Sequence, residues 1–243
     1  MIDFSLPGAL TFDCYGTLID WETGLSAVLG RWAARNGVDA SGEELLAAFA
    51  EAESRAEVDH PSMLYPDILR LSLTSIARTF GSVCDDHSAD ELAHSVGGWP
   101  TFPDTADSLR LLKRRYKLAI VSNVDRASFA LTRPKLGVDL DLIVTAEDVG
   151  SYKPNLGHFR AALDALSRLG ISQDRVMHVA QSLYHDHVPA KQLGLTTVWI
   201  NRRSGKAGSG ATRVADTPVV PDAEFRSMAA FASAVECSFG SRE

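Results

Sequence analysis

The sequence predicts an α/β fold: a doubly wound, Rossmann-like parallel sheet with a helical cap inserted after the first strand. Three observations lead there. Five short runs are almost unbroken in apolar residues, helical stretches alternate with the later runs, and one long helical segment interrupts the alternation. A strand covered by helices on both faces reads as a continuous apolar run, whereas a strand with one wet face alternates.

The elements follow in order. "ALTF" (9–12) is the first strand, "KLAIVS" (117–122) the second, "LDLIVTA" (140–146) the third, "RVMHVA" (175–180) the fourth and "TTVWIN" (196–201) the fifth. Helices are expected over "DTADSLRLLKRR" (104–115), "LGHFRAALDALSRLG" (156–170) and "DHVPAKQLG" (186–194). Strand–helix alternation of this kind builds a parallel sheet. From Trp21 to about Gly98 the pattern is helical throughout, in the four pieces "GLSAVLGRWAARNG", "SGEELLAAFAEAESRAEV", "YPDILRLSLTSIARTFG" and "SADELAHSVGGW". The domain division is therefore an α/β core over 1–20 and 99–243 and a helical cap over 21–98. Such a cap stands over the carboxyl ends of the strands, where open α/β sheets bind ligands. "GWPTFPD" (98–104) reads as the return hinge, "SGKAGSGATRV" as a mobile loop, and the tail as a short helix.

Composition narrows the function. The 243 residues are 45% hydrophobic and 23% charged, with a formal net charge of −7. An acidic chain argues against a nucleic-acid or anionic-membrane partner, which need clustered Lys and Arg. Cys14, Cys84 and Cys237 are far apart with no CxxC pair, so neither a disulfide framework nor a zinc site is expected. The first residues lack a basic n-region, and no apolar run approaches the roughly 20 residues that cross a bilayer. The expectation is a cytoplasmic protein.

Polar residues end the strands one after another. Asp13 follows the first, Ser122 and Asn123 end the second, Lys153 stands after the third, and Gln181, Ser182 and Asp186 follow the fourth. Alone, an Asp after a strand is an ordinary turn former or cap. In a parallel sheet these ends share one crevice, where a carboxylate, a hydroxyl, an amide and an ammonium would meet. His185 and His187 flank Asp186, but a His-x-His beside one Asp is weak evidence for a metal. Cys14 reads as core.

"FDCYGTL", "VSN", "SYKPN" and "HVAQSLYHD" resemble the four sequence motifs of the haloacid dehalogenase superfamily, from the first strand to the fifth. The helical insertion sits where that superfamily's C1 cap sits. More closely, the chain is similar to the type II 2-haloacid dehalogenase branch, and to a relative in it that opens the ring of azetidine-2-carboxylate.

The resemblance gives Tyr15 a meaning. In the superfamily's phosphatases the first motif reads Asp-x-Asp, and the second acid protonates a departing alkoxide. Here Tyr15 stands at that position, and a phenol with a reference pKa near ~10 is a poor substitute. A halide leaves without a proton. The phosphatases also hold magnesium between the nucleophilic Asp and an acid after strand four. Gln181 matches that acid, and Mg²⁺ prefers anionic oxygens. No required metal and no cofactor are expected.

What the resemblance implies is covalent catalysis by a carboxylate. Asp13 attacks C2 of a small anionic carboxylic acid, halide leaves, and water opens the aspartyl ester with net inversion. Lys153 holds Asp13 ionised, Thr17 and Ser122 hydrogen-bond the two carboxylates, and Asn123 matches the family's halide-contacting Asn. Asp186 orients Lys153 and the hydrolytic water, supported by Ser182. Tyr15, Trp21, Tyr65 and Trp99 are candidates for an apolar wall, with cap-to-core packing as their ordinary reading. The family grips substrate or leaving group with a cap arginine, for which Arg55 and Arg70 are the candidates and Arg31 a third. The branch dimerises through cap helices, which implies a homodimer.

Three other readings stand beside hydrolysis of the carbon–halogen bond. Ring opening of the azetidine-2-carboxylate type needs a proton donor that the sequence does not identify. In that relative the residue matching Gln181 is acidic, which favours the halide. A magnesium-dependent phosphatase and a non-catalytic protein on the same fold are the others.

Overall fold

The computed structural model describes residues 2–205, 208 and 210–240. Of the loop read at 204–214, Lys206, Ala207 and Ser209 lie outside the described residues. Among the described residues no helix is long and apolar enough to cross a membrane.

The first strand, β1 (Ala9–Phe12), is buried along its whole length. That is why it carries no alternation. It pairs in parallel with β2 (Lys117–Ser122) on one side and with β4 (Val176–Ala180) on the other. β3 (Leu142–Thr145) extends the sheet beyond β2, and β5 (Thr196–Ile200) extends it beyond β4. With β6 (Ala223–Phe225) at the edge beside β5, the order is β3-β2-β1-β4-β5-β6, all parallel. Chain order runs outward in opposite directions from β1 and β4. Connections on the two sides leave the sheet on opposite faces, which opens a crevice at the carboxyl ends of those two strands.

Four helices make up the insertion that follows β1: α1 (Trp21–Asn36), α2 (Gly42–Asp59), α3 (Tyr65–Thr79) and α4 (Asp86–Ala93). Each start has a local cause. Asp20 caps α1, Ser41 and Glu44 form a capping box on α2, a proline lies in the first turn of α3, and Asp85 caps α4. Helical spacing gathers Trp21, Leu25, Val28, Leu29 and Trp32 on one buried face of α1. Entry to and exit from the insertion run side by side: Ile19 bridges Thr101, and Asp20 N–H donates to Pro100 O at 2.8 Å. Where α1 crosses the exit segment, Gly24 has no room for a side chain, since a Cβ would lie 2.1 Å from Trp99 Cδ1.

The rest alternates as the sequence predicts. α5 (Thr105–Lys113) precedes β2, and α8 (Gly157–Arg168) precedes β4. Four features go beyond the sequence reading. α6 (Arg126–Thr132) and α7 (Ala146–Val149) follow β2 and β3 directly. The segment after β4 opens as one widened turn, Leu183–His187, before α9 (Val188–Gln192). A sixth strand, β6 (Ala223–Phe225), edges the sheet ahead of α10 (Met228–Gly240). At three residues, with its middle side chain exposed, β6 is too short for an apolar run to announce it.

Candidate active site

Asp13 is the first residue past β1, placed between the ends of β2 and β4. The chain turns sharply behind it. Leu18 and Ile19 donate to Cys14 O, and Gly16 donates to Ile19 O. Gly16 has φ +94°, a conformation that side chains with a Cβ resist. The turn brings Thr17 back onto the carboxylate, and Thr17 Oγ1 donates to Asp13 Oδ2 at 2.7 Å. The same hydroxyl accepts from Gln181 N–H at 2.9 Å, which joins the β1 loop to the β4 loop.

Lys153 is buried and fully committed. Its Nζ donates to Asp13 Oδ1 (2.9 Å), Asp186 Oδ1 (2.7 Å) and Val121 O (2.9 Å), which accounts for all three of its protons. Asn123 fixes the loop beneath it, accepting from Lys153 N–H at 2.7 Å and donating to Lys153 O at 3.2 Å. Two carboxylates beside it hold the ammonium's pKa above its ordinary value, against desolvation. Asp186 lies well below the usual carboxylate range: desolvation opposes this, and Lys153 and then the His178 hydrogen bond outweigh it. Asp13 is raised, because desolvation exceeds the pull of Lys153 and negative Asp186 adds to it.

The pocket in front of Asp13 is walled by Tyr15, Trp21, Tyr65, Asn123, Gln181, Ser182 and His185, and holds about 40 Å³. A few heavy atoms fill that space. Tyr15 turns its hydroxyl away to Thr132 Oγ1 (2.8 Å) and packs edge-on against Trp99 at 5.6 Å. Burial pushes the Tyr15 phenol well above its ordinary pKa and makes it a weaker acid still. Trp99 stands behind Tyr15 and not on the pocket wall. Cys14 is buried, as its place in the core predicts.

Three expectations need correction. Arg55 is exposed on α2 and does not reach the pocket. At about 100° per residue, a position two away from both Glu53 and Glu57 faces the other side of the helix. Arg70 pairs with Asp67 (2.7 Å) and Asp90 (2.8 Å) on the surface of α3, and Arg31 pairs with Glu91. Ser122 does not bond Asp13. Its buried hydroxyl has no partner, while Lys153 and Thr17 hold the two Asp13 oxygens.

Where an arginine was expected, the insertion presents acids. Glu53 and Glu57 of α2 are buried and line the pocket. Tyr65 Oη donates to Glu53 Oε1 at 2.6 Å, and Asn123 Nδ2 donates to Glu57 Oε1 at 3.1 Å. Burial raises Glu53 to about 8 and lifts Glu57 well above the carboxylate range, with Glu53 adding to the latter. His178 also escaped the sequence reading. It joins Thr11 Oγ1 (2.9 Å) to Asp186 Oδ1 (3.1 Å) and supports the charge cluster from below. A histidine inside the apolar run "RVMHVA" was the one available signal.

The donor set fits magnesium poorly. Asp13 and Asp186 each give an oxygen to Lys153, and Gln181 Oε1 accepts from Thr212 Oγ1 at 3.1 Å. An amide already in use replaces one anionic ligand that a hard divalent ion prefers. His187 Nε2 bonds Ala180 O, and His185 Nδ1 bonds Ser182 Oγ, so the two rings share no metal-binding point.

Residues 7–194 match the family model of haloacid dehalogenase-like hydrolases. The chain is 32% identical to (S)-2-haloacid dehalogenase 4A of Burkholderia cepacia over 204 residues, 80% of this chain and 83% of that one. It is 30% identical over 103 residues to glyceraldehyde 3-phosphate phosphatase of Methanothermobacter thermautotrophicus, 41% of this chain and 44% of that one. The L-2-haloacid dehalogenase structure from Xanthobacter autotrophicus superposes with a TM-score of 0.77 at 18% identity, covering 95% of this chain and 98% of that one. That last likeness speaks for the fold.

Proposed function

The chain belongs to the haloacid dehalogenase-like hydrolase family, and we propose that it hydrolyses the carbon–halogen bond of a small 2-haloalkanoic acid through an aspartyl ester. One observation carries this reading. Asp13 is held by Lys153 and Thr17, while both loop positions that could help an oxygen leaving group are turned to other work, Tyr15 to Thr132 and Gln181 to Thr212. A charged nucleophile without a loop acid beside it suits a leaving group that departs as a stable anion.

The first step forms a bond from an Asp13 carboxylate oxygen to C2, and the C–X pair leaves with the halide. Attack from the face opposite the halide inverts C2. Water then adds to Asp13 Cγ, and the ester C–O bond breaks to return the carboxylate. One water proton goes to the product's oxygen and the other to solvent, so the reaction yields a 2-hydroxy acid, halide and a proton. Lys153 steadies the negative charge on the carboxyl oxygens in both steps. Asp186 and His178 keep the ammonium in place.

The test is halide release from each enantiomer of 2-chloropropionate with EDTA present, beside an Asp13→Asn control. Release from one enantiomer, lost in the control, supports the reading. Absence of release from both, and from 2-bromopropionate, overturns it. The alternative of C–N ring opening draws on a separate observation. Glu53 and Glu57 are pocket carboxyls that burial pushes upward, Glu53 to about 8, and an amine leaving group needs a proton donor of this kind. Azetidine-2-carboxylate given to the same protein decides between the two.

A further inference from the structure

Among the described residues, four carboxyl groups line the pocket beside a single cation. Asp13, Asp186, Glu53 and Glu57 stand around Lys153, and no described arginine lines the cavity. Lys153 has no proton to spare for the glutamates, since its three donors serve Asp13, Asp186 and Val121. Arg213 comes near, but it meets Ser54 Oγ (3.1 Å) and Asp216 (3.1 Å) and stacks on Tyr184. Among the described residues, neither Glu53 nor Glu57 has a Lys or Arg partner. Each uses only its Oε1, for Tyr65 and for Asn123.

A second observation is independent of the acids. His185 is 9% exposed and its Nε2 has no hydrogen-bond partner. It lies 3.7 Å from Glu57 Oε2, too far for a hydrogen bond and near enough for one donor group beside the pair to reach both. The Nδ1 end of the ring is engaged by Ser182 Oγ at 3.2 Å. Burial lowers the His185 pKa to about 4, so the imidazole is neutral and carries a lone pair. With its proton on Nδ1, Nε2 is a bare acceptor.

We infer that Glu53, Glu57 and His185 form a subsite for an ammonium group that the substrate carries beside its reacting carbon. The preferred substrate is then a small 2-haloalkanoic acid that also carries an ammonium, bound more tightly than the simple haloalkanoate of the same size. An ammonium has three N–H donors, and three unfilled acceptors face it: the two glutamates and His185 Nε2. Such a molecule has no net charge, which suits an acidic cavity better than an anion does. Glutamates at i and i+4 of one helix face present their acceptors together. The inference rests on Asp13 as the nucleophile toward carbon, while its test requires no turnover.

The probes are two product-like hydroxy acids that differ only at one position. Isoserine carries an ammonium where 2-hydroxybutyrate carries a methyl group. Calorimetric titration of the intact protein at pH 7, in two buffers of different ionisation enthalpy, reads affinity and proton exchange together. Isoserine is expected to bind at least ~30-fold more tightly, as charge-assisted hydrogen bonds imply. Its binding also releases protons from the glutamates, whose surroundings include Tyr65, Tyr152, Asn123, Lys153 and His185, whereas 2-hydroxybutyrate releases none. Glu53→Gln and Glu57→Gln should each cut the selectivity at least ~10-fold. Equal affinities, or no binding of isoserine at millimolar concentration, overturn the inference. If either variant fails to fold, the proton count of the unaltered protein decides alone. Halide release from 2-chlorobutyrate alongside equal affinities would leave the dehalogenase reading standing and remove only the ammonium subsite.

Discussion

Lys153 Nζ lies 2.9 Å from Asp13 Oδ1, across 140 residues of chain, and 2.7 Å from Asp186 Oδ1. A single buried ammonium thus offsets two buried carboxylates. Removing it leaves both uncompensated. Lys153→Met is expected to lower stability by about 3–5 kcal/mol and to reduce turnover at least ~10³-fold. Thermal unfolding and halide release from 2-chloropropionate check the two effects separately. A variant with normal stability and near-normal turnover would refute both roles.

Asp13 is raised by desolvation and by Asp186, against the pull of Lys153 and Thr17. In the proposed reaction the nucleophile acts in its ionised form, so kcat/KM falls as pH drops through that raised value. The acid limb of the profile is therefore expected above the ordinary carboxylate pKa of 3.8. A rate profile from pH 3 to 9 measures it. An inflection at or below 3.8 would mean that Lys153 wins over burial.

Glu53 titrates at about 8 in the folded protein against an ordinary 4.5. Between those values the native state holds more protons than the unfolded chain, so stability falls as pH rises through the window. Glu53→Gln removes this loss. Its melting temperature should match the parent near pH 5 and exceed it by on the order of 5 °C at pH 9. A difference that does not change with pH would show that Glu53 titrates as an ordinary surface acid.

Thr17 Oγ1 holds Asp13 Oδ2 at 2.7 Å while accepting from Gln181 N–H. Thr17→Val keeps the shape and deletes both bonds. A hydrogen bond to a charged group contributes about 1.5–3 kcal/mol, so kcat should fall ~10–100-fold. Thr17→Ser should restore most of it. Equal losses in the two variants would point to packing and not to the hydroxyl.

Arg55 is exposed and Arg70 is paired with Asp67 and Asp90 on the surface. Each alanine substitution is expected to leave kcat/KM within ~2-fold, the behaviour of exposed ion pairs and free surface charges. A tenfold rise in KM for either would return it to substrate binding.

The strand ends were legible because their chemistry is local. Asp13, Lys153 and Asp186 each follow a short apolar run, and a parallel sheet brings such ends together whatever the details of the helices. Their motifs named the family. The insertion was legible as helices but not in its orientation. "EELLAAFAEAESRAEV" shows an apolar stripe beside charged residues, and nothing in it sets Glu53 and Glu57 apart from Glu43 or Glu51. Arg55 is a candidate only through the cap arginine of the family the chain resembles, and sequence carries no measure of which helix face turns inward.

By itself the sequence determined the parallel sheet, the helical insertion and the place of the buried carboxylate Asp13 at the end of the first strand, since these follow from residue type and spacing along the chain. Tertiary structure alone decided that acids, not arginines, close the pocket. Burial depends on what packs against a side chain, and the partners that cover this face of α2 include Asn123 past the end of β2 and Arg213 of the loop after β5, far away in sequence. The same packing turned two ordinary glutamates into the groups that set the electrostatics of the site.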